Sequence, residues 1–247
     1  MLGEAVVDSA HEAMSGAAVF RIRRNSGPDT YLKIARCLAG QNLRDEAERT
    51  TWLRLRNIEV PTILKEYHSP VVSALLMSAV PGRPLATWKG APQAAIQSLA
   101  RGLNALHALP PALCPFMETL AVRLGRAKQD LSLGLIDGTH FADRNANVSP
   151  SALYQRLVAS MPATEDIVVA HGDATLSNIL LDREYHVGFV DCGHAGRADR
   201  YVDLALIVQG LLEQFGANAA MTFVTSYDWR DWDPQKAKFF LDLYELF

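Results

Sequence analysis

The stretch IVVAHGDATLSNILLDREYHVGFVDCGHAGRADRYVD, residues 167–203, decides how this chain is read. Its apolar run Ile167, Val168, Val169, Ala170 has the length and β-branching of a short buried strand, and His171, Gly172 and Asp173 turn out of it. Asp173 therefore stands at the strand's mouth. Asn178 opens a second apolar run, Ile179, Leu180, Leu181, and after the polar residues 182–185 a third run, 187–190, ends on Asp191. The last two runs predict a β-hairpin with Asn178 and Asp191 at one rim. Asp, Asn and Gly are ordinary turn residues, so chain reversal accounts for any one of them alone. Together, two carboxylates and an amide at the ends of apolar runs offer hard oxygen donors that can share a divalent cation and address a hydroxyl. Metal-assisted phosphoryl transfer needs that set. His171 and Asp173 have no accompanying cluster of His or Cys, which argues against zinc.

The segments HGDATLSN, FVDCGHAGRADRY and the terminal ELF resemble the aminoglycoside phosphotransferases, most closely the 3'-phosphotransferases of kanamycin and neomycin. The resemblance runs over residues 15–247. It implies an α+β, protein-kinase-like bilobal fold: a small β-rich nucleotide-binding lobe over residues 1–80 with a hinge at its end, and a larger α-rich lobe over 81–247 for catalysis and acceptor binding. The implied activity is ATP-dependent transfer of the γ-phosphoryl to a hydroxyl, the 3' one, of an aminoglycoside antibiotic, conferring resistance. Asp173 is then the catalytic residue that orients the acceptor hydroxyl and takes its proton, and Asn178 and Asp191 hold magnesium (Mg2+). Lys33, fixed by Glu46, meets the nonreacting phosphates of ATP. Ser15 and Gly16 form the nucleotide-positioning loop, the backbone of Ser78 and Val80 meets the adenine edge, and Met77 lines its pocket. Asp143, Arg197, Glu213, Glu245 and the terminal carboxylate of Phe247 are the implied acceptor contacts.

The chain departs from the family pattern at several of these places. His194 stands where relatives usually carry Arg, Gln209 and Gly210 replace a charged pair, and Tyr244 occupies a position where Asp is common. The loop FADRNANV keeps Asp143 as its one acid. Fewer carboxylates imply weaker attraction for a polycation or a narrower choice of acceptor. Two alternatives stand beside the aminoglycoside reading: a kinase of the same fold acting on another small amino alcohol or sugar, and a kinase-like binding module without catalysis. A binding module has no need of Lys33, Asp173, Asn178 and Asp191 together.

Working outward, residues 1–14 have weak helical character, and SGAAVFRIRR (15–24) with TYLKIA (30–35), joined by a turn at 25–28, reads as a β-hairpin through Val19, Phe20, Ile22, Leu32 and Ile34. A strand lysine such as Lys33 is usually a snorkelling edge residue, but a helical segment over 35–56 follows it and brings Glu46, with Glu48 as the competing partner. No GxxxxGK[ST] motif is present. Strands are expected over 63–67 and 71–77, and Pro81 and Gly82 mark the change of organisation. Helices are expected over 91–107, with Ile96, Leu99, Leu103 and Leu106 on one stripe, and over 122–131, 150–161, 204–215 and 233–247, with a polar loop at 134–148. Ser149 is the expected N-cap of the third of these, with Pro150 at N1. His107 reads as a core or capping histidine.

At 49% hydrophobic residues, a chain of 247 residues can bury a substantial core. A formal charge of -3, with no Lys/Arg-rich run, argues against a nucleic-acid partner. Glu4 and Asp8 are at odds with a secretory n-region, and the apolar run near residue 75 is too short to span a bilayer. A cytoplasmic protein without membrane attachment, monomeric or weakly dimeric, is expected. Cys37, Cys114 and Cys192 are odd in number and far apart, as suits small core residues rather than a disulfide framework.

Overall fold

A computed structural model describes residues 5–7, 11–12, 17–24, 27–37, 43–90, 92–227 and 231–247. In chain order the elements are β1 (Ala5–Val7), β2 (His11–Glu12), β3 (Ala18–Arg24), β4 (Thr30–Arg36), α1 (Leu43–Arg54), β5 (Ile63–His68), β6 (Val72–Ser78), β7 (Arg83–Pro84), α2 (Gln93–His107), α3 (Leu120–Ser132), α4 (Pro150–Ala159), β8 (Ile167–Ala170), β9 (Ile179–Leu181), β10 (Val187–Phe189), β11 (Gly196–Asp199), α5 (Tyr201–Phe215), α6 (Ala217–Tyr227) and α7 (Pro234–Tyr244). They form two compact units, Met1–Leu85 with Asn178–His194, and Ala86–Ser177 with Ala195–Phe247. The change of organisation read at Pro81 and Gly82 lies close to the end of the first segment. The hairpin segment Asn178–His194 nevertheless belongs with the first unit, which no local sequence signal announces.

The first unit is built on an antiparallel sheet of strand order β1-β3-β4-β6-β5, with β2 also paired to β3. Alternation along β6 turns Ser73, Leu75 and Met77 inward, and Leu43 and Ala47 of α1 pack with Leu75 and Met77. Asp45 and Glu46 in the first turn of α1, with Arg54 in its last, complement the helix dipole. Two expectations are corrected here. Residues 1–14 are not helical where described, since Ala5–Val7 and His11–Glu12 pair with β3; a segment this short gains more from a sheet edge than from a lone helical turn. The helix expected over 35–56 does not start at 35, because Ala35 and Arg36 remain in β4, paired with Ser73 and Val72; among the described residues it is Leu43–Arg54.

The predicted hairpin is β9 and β10, in register Leu181↔Val187 and Ile179↔Phe189, and β7 pairs with the other edge of β9. Asp182 closes its turn by accepting the N–H groups of Glu184 at 2.9 Å and His186 at 2.8 Å.

In the second unit, β8 pairs with β11 and the helices supply the core. Leu120, Leu153, Leu157, Val168, Ala198, Tyr201, Phe240 and Leu243 are buried together, each large side chain contributing roughly 2 kcal/mol. The predicted stripe Ile96, Leu99, Leu103 and Leu106 is buried along α2. Ser149 caps α4 by accepting the Ala152 N–H, and Asp233 caps α7 by accepting those of Gln235 and Lys236. Helix α5 starts at Tyr201 rather than 204 because the buried Asp199 carboxylate accepts the Tyr201 N–H at 3.0 Å. Helix α6 went unread in the sequence, although Ala220, Phe223 and Tyr227 give it a buried face. Between α5 and α6 stands Gly216, whose φ of 83° lets the chain break direction. No helix among the described residues is long and apolar enough to cross a membrane.

Candidate active site

In the first unit Asn178 and Asp191 flank the hairpin at one rim. The register of β9 and β10 brings residues 178 and 190 opposite each other, and the Val190 N–H donates to the Asn178 carbonyl at 3.0 Å. Asp191 follows with φ of 59°, a left-handed conformation that a non-glycine residue adopts at a cost of about 1 kcal/mol. That turn delivers its carboxylate to Lys33, 2.7 Å from Nζ. Lys33 is the inward residue of β4, with its Nζ also 2.8 Å from Glu46 Oε2 on α1. The competitor Glu48 is exposed on the other side of that helix. Burial alone would lower the Lys33 pKa, but the charges of Glu46 and Asp191 outweigh it and raise the pKa, so the ammonium is permanent. Cys192, next to Asp191, has its thiol pushed up by burial and then by the charges of Glu46 and Asp191, which makes it a poor nucleophile.

In the second unit, β8 ends in the turn His171-Gly172-Asp173, and that turn is held from several sides. The fully buried Asp203 of α5 accepts the His171 N–H at 2.7 Å and the Gly172 N–H at 2.8 Å. Gly172 has φ of 86°, so a side chain there would strain the turn. Its carbonyl accepts from Arg123 Nη2 at 3.0 Å, and Arg123 lies beside the buried Glu118. His107 stands behind Asp203, with Nε2 3.0 Å from Asp203 Oδ2 and Nδ1 2.6 Å from the Tyr227 hydroxyl. Asp173 Oδ1 receives the Tyr244 hydroxyl at 2.9 Å. Asp203 and Arg123 were missed in the sequence, and Tyr244 was read only as a departure from the family's Asp. A lone Asp within the apolar run YVDLALIV was the one available sign, because an unpaired carboxylate is not tolerated in a buried helix face.

Burial alone would push the Asp203 pKa up, but the hydrogen bond and charge of His107 and the contacts of His171 outweigh it and hold the carboxyl below its ordinary value. A depressed pKa gives stability that is present above about pH 4, the unfolded value, and is lost as pH falls through the folded one. Asp203→Ala strands two buried N–H groups and His107, and is expected to cost about 3–5 kcal/mol. Chemical denaturation at pH 7 measures the loss. Asp203→Asn should remove part of the acid-induced unfolding below pH 4, which a pH series checks.

The residues expected to contact an acceptor are placed unevenly. Glu245 accepts from the Ala142 N–H and from Asn145 Nδ2, each at 3.2 Å, and pairs with Arg144, so its carboxylate anchors the loop that carries the exposed Asp143. Asn145 and Arg144 also bond the buried Asp242 of α7 at 2.9 Å. The Phe247 ring lies 5.7 Å from the Arg123 guanidinium and 5.9 Å from that of Arg126. Arg197, on β11, joins its main chain to Phe116 and Glu118, and its Nε is buried without a hydrogen-bond partner among the described residues. Glu213 is exposed and receives Gln209 Nε2 from its own helix at 2.5 Å. At the end of β6, Met77 and Val80 are buried, while Ser78 exchanges bonds with Thr62, donating its N–H to the carbonyl and accepting the Thr62 N–H on Oγ, both at 2.9 Å. Ser15 and Gly16 lie outside the described residues.

The phosphotransferase enzyme family matches residues 11–240 of the sequence. The chain belongs to that family. Among curated relatives, the aminoglycoside 3'-phosphotransferase of Niallia circulans is 31% identical over 250 residues, covering 100% of this chain and 95% of the relative. The crystal structure of aminoglycoside-3'-phosphotransferase of type VIII superimposes with a TM-score of 0.90 at 33% identity, covering 98% and 94% of the two chains. Aminoglycoside phosphotransferase APH(3'')-Id from Streptomyces rimosus, solved with ADP and streptomycin, gives 0.82 at 30% identity over 96% and 92%. Like those structures, this family member has a β-rich N-terminal lobe and a helical C-terminal lobe, the expected protein-kinase-like fold.

Proposed function

We propose that the chain is an ATP-dependent aminoglycoside O-phosphotransferase that transfers the γ-phosphoryl to a 3'-hydroxyl and so confers resistance. The observation that carries this reading is the buried Lys33 gripped by Glu46 and Asp191. The relatives named as aminoglycoside 3'-phosphotransferases, and the neighbour solved with ADP and streptomycin, support the nucleotide and acceptor classes.

In the reaction so read, Lys33 draws charge from the nonreacting phosphates, and Glu46 keeps it aimed. Asn178 and Asp191 suit magnesium because both offer hard oxygen and both flank the β9–β10 hairpin at one rim, where the Val190 N–H donates to the Asn178 carbonyl. Bound there, the ion would neutralise phosphate charge. Asp173 orients the acceptor hydroxyl and accepts its proton as the new P–O bond forms and the bond to the departing ADP breaks. Met77, Val80 and the backbone of Ser78 take the adenine, and Ser15 and Gly16 the phosphate loop. Arg197, Asp143, Glu213, Glu245 and Phe247 remain the acceptor contacts. With Glu245 already paired to Arg144, the acceptor meets fewer free carboxylates, which supports limited breadth among aminoglycosides. The enzyme so proposed is cytoplasmic, monomeric or weakly dimeric, and without a membrane partner; the net charge of -3 without basic runs argues against a nucleic-acid partner.

ADP release with magnesium and ATP, against a panel of aminoglycosides and unrelated amino alcohols, tests the reading. Turnover with kanamycin and none with the other alcohols is the expected result; turnover confined to a nonaminoglycoside overturns the acceptor assignment. Removing residues 245–247 deletes the loop anchor and the ring beside Arg123, and should raise the acceptor KM roughly tenfold or more, about 1.4 kcal/mol, with the ATP KM little changed. Unaltered aminoglycoside kinetics in the truncated enzyme would remove the chain end from the acceptor pocket.

A further inference from the structure

The far end of α7 is mounted on the same supports as the catalytic turn. Tyr244 closes the helix, and its hydroxyl donates to Asp173 Oδ1 at 2.9 Å. The residue after it, Glu245, is bonded to Ala142, Arg144 and Asn145, and Leu246 is buried in the core. Phe247 then places its ring beside Arg123, the side chain whose Nη2 holds the Gly172 carbonyl, one residue before Asp173. A phenol carried this way has little freedom to swing, so its hydrogen bond fixes the direction of the carboxylate it meets.

We infer that Tyr244 is a positioning residue for the phosphoryl transfer, holding the Asp173 carboxylate in the orientation that the acceptor hydroxyl requires. The inference rests on the assignment of Asp173 as the proton acceptor. Tyr244 does not itself take the proton: burial, then the charge of Asp173, raises its pKa, so it stays a neutral donor. The hydrogen bond persists while the acceptor's proton passes to Asp173, and the phenol neither gains nor loses a proton over the cycle. A positioning role of this kind acts on the chemical step and leaves ground-state binding alone.

The test is steady-state kinetics of Tyr244→Phe with magnesium-ATP and kanamycin, beside Asp173→Asn and a melting curve for each. Tyr244→Phe removes one oxygen and keeps the ring, so the packing around it is conserved. The expected result is a kcat about tenfold lower, with both KM values within about twofold of wild type and an unchanged melting midpoint. Tyr244→Met, which also lacks the hydroxyl, should show the same split, and serves if the Phe variant melts early. Wild-type kcat in Tyr244→Phe while Asp173→Asn is inactive overturns this inference alone. A raised kanamycin KM with unchanged kcat does so too, since Tyr244 would then be a binding contact. Full activity in Asp173→Asn overturns the Asp173 assignment itself, and with it the inference.

Discussion

Asp173→Ala is expected to lower turnover on the order of 10² or more while nucleotide binding survives. The magnitude follows from the part given to Asp173: general-base assistance and orientation of the attacking hydroxyl contribute about 10²–10⁴ to a rate. Nucleotide binding survives because Lys33, Glu46, Asn178 and Asp191 are held by β4, α1 and the β9–β10 hairpin, none of which depends on the Asp173 side chain. The fold should tolerate the change as well. The turn at 171–173 is secured by main-chain bonds to Asp203 and Arg123, and the Asp173 carboxylate is not among them. Single-turnover kinetics together with nucleotide titration read the two effects separately. Near-normal turnover in a folded variant would take Asp173 out of its role.

How far the sequence showed this site depends on what kind of group each residue contributes. Asp173, Asn178 and Asp191 could be picked out as candidates because each borders an apolar run, and such borders have a local signature. Lys33 and Glu46 were legible only as a pair, since a lysine in a strand and a glutamate in a helix are unremarkable until α1 and β4 bring them to 2.8 Å. Arg123 was not legible, and Asp203 showed only as a lone Asp in an apolar run, because their work is done on backbone groups, and a backbone carbonyl or N–H leaves no mark in the sequence. Tyr244 was visible as a departure from the family's Asp, but nothing in YELF says that its hydroxyl reaches a residue 71 positions away. The fold shows the same contrast. The stripe on α2 and the cap at Ser149 are local and were read, whereas the strands at Ala5–Val7 and His11–Glu12 exist only because β3 offers an edge. The loop acids show a further limit. Glu245 reads as a free carboxylate at a helix end, and only the fold reveals Arg144 and Asn145 already upon it.

Asp191 and Lys33 share an ion pair, yet their substitutions are expected to fail in different ways. Asp191→Ala removes one of two proposed magnesium donors, and turnover should fall on the order of 10²–10³, as is typical when a group that stabilises developing charge is lost. Lys33 keeps Glu46 in that variant, so no buried charge is stranded and stability should change little. Asp191→Asn keeps a residue that tolerates φ of 59° together with one hard oxygen, and should retain more activity than the alanine variant. Lys33→Ala takes from the buried Glu46 its lysine partner, the Glu46 and Lys33 side chains each being 7% exposed. A loss of about 3–5 kcal/mol of stability is expected, with a raised KM for ATP. The double change Lys33→Met with Glu46→Gln removes both charges at once and should recover much of the stability without recovering nucleotide use. That separation identifies what Lys33 does: if the double variant regained ATP kinetics along with its fold, the lysine would be a structural ion-pair partner and not a phosphate ligand. The magnesium assignment has its own check, in that turnover of the wild-type chain should vanish on chelation and return with added magnesium. Turnover that persists without the ion, or ATP kinetics unmoved in both Asp191→Ala and Lys33→Ala, would overturn the phosphotransfer roles of Lys33 and Asp191.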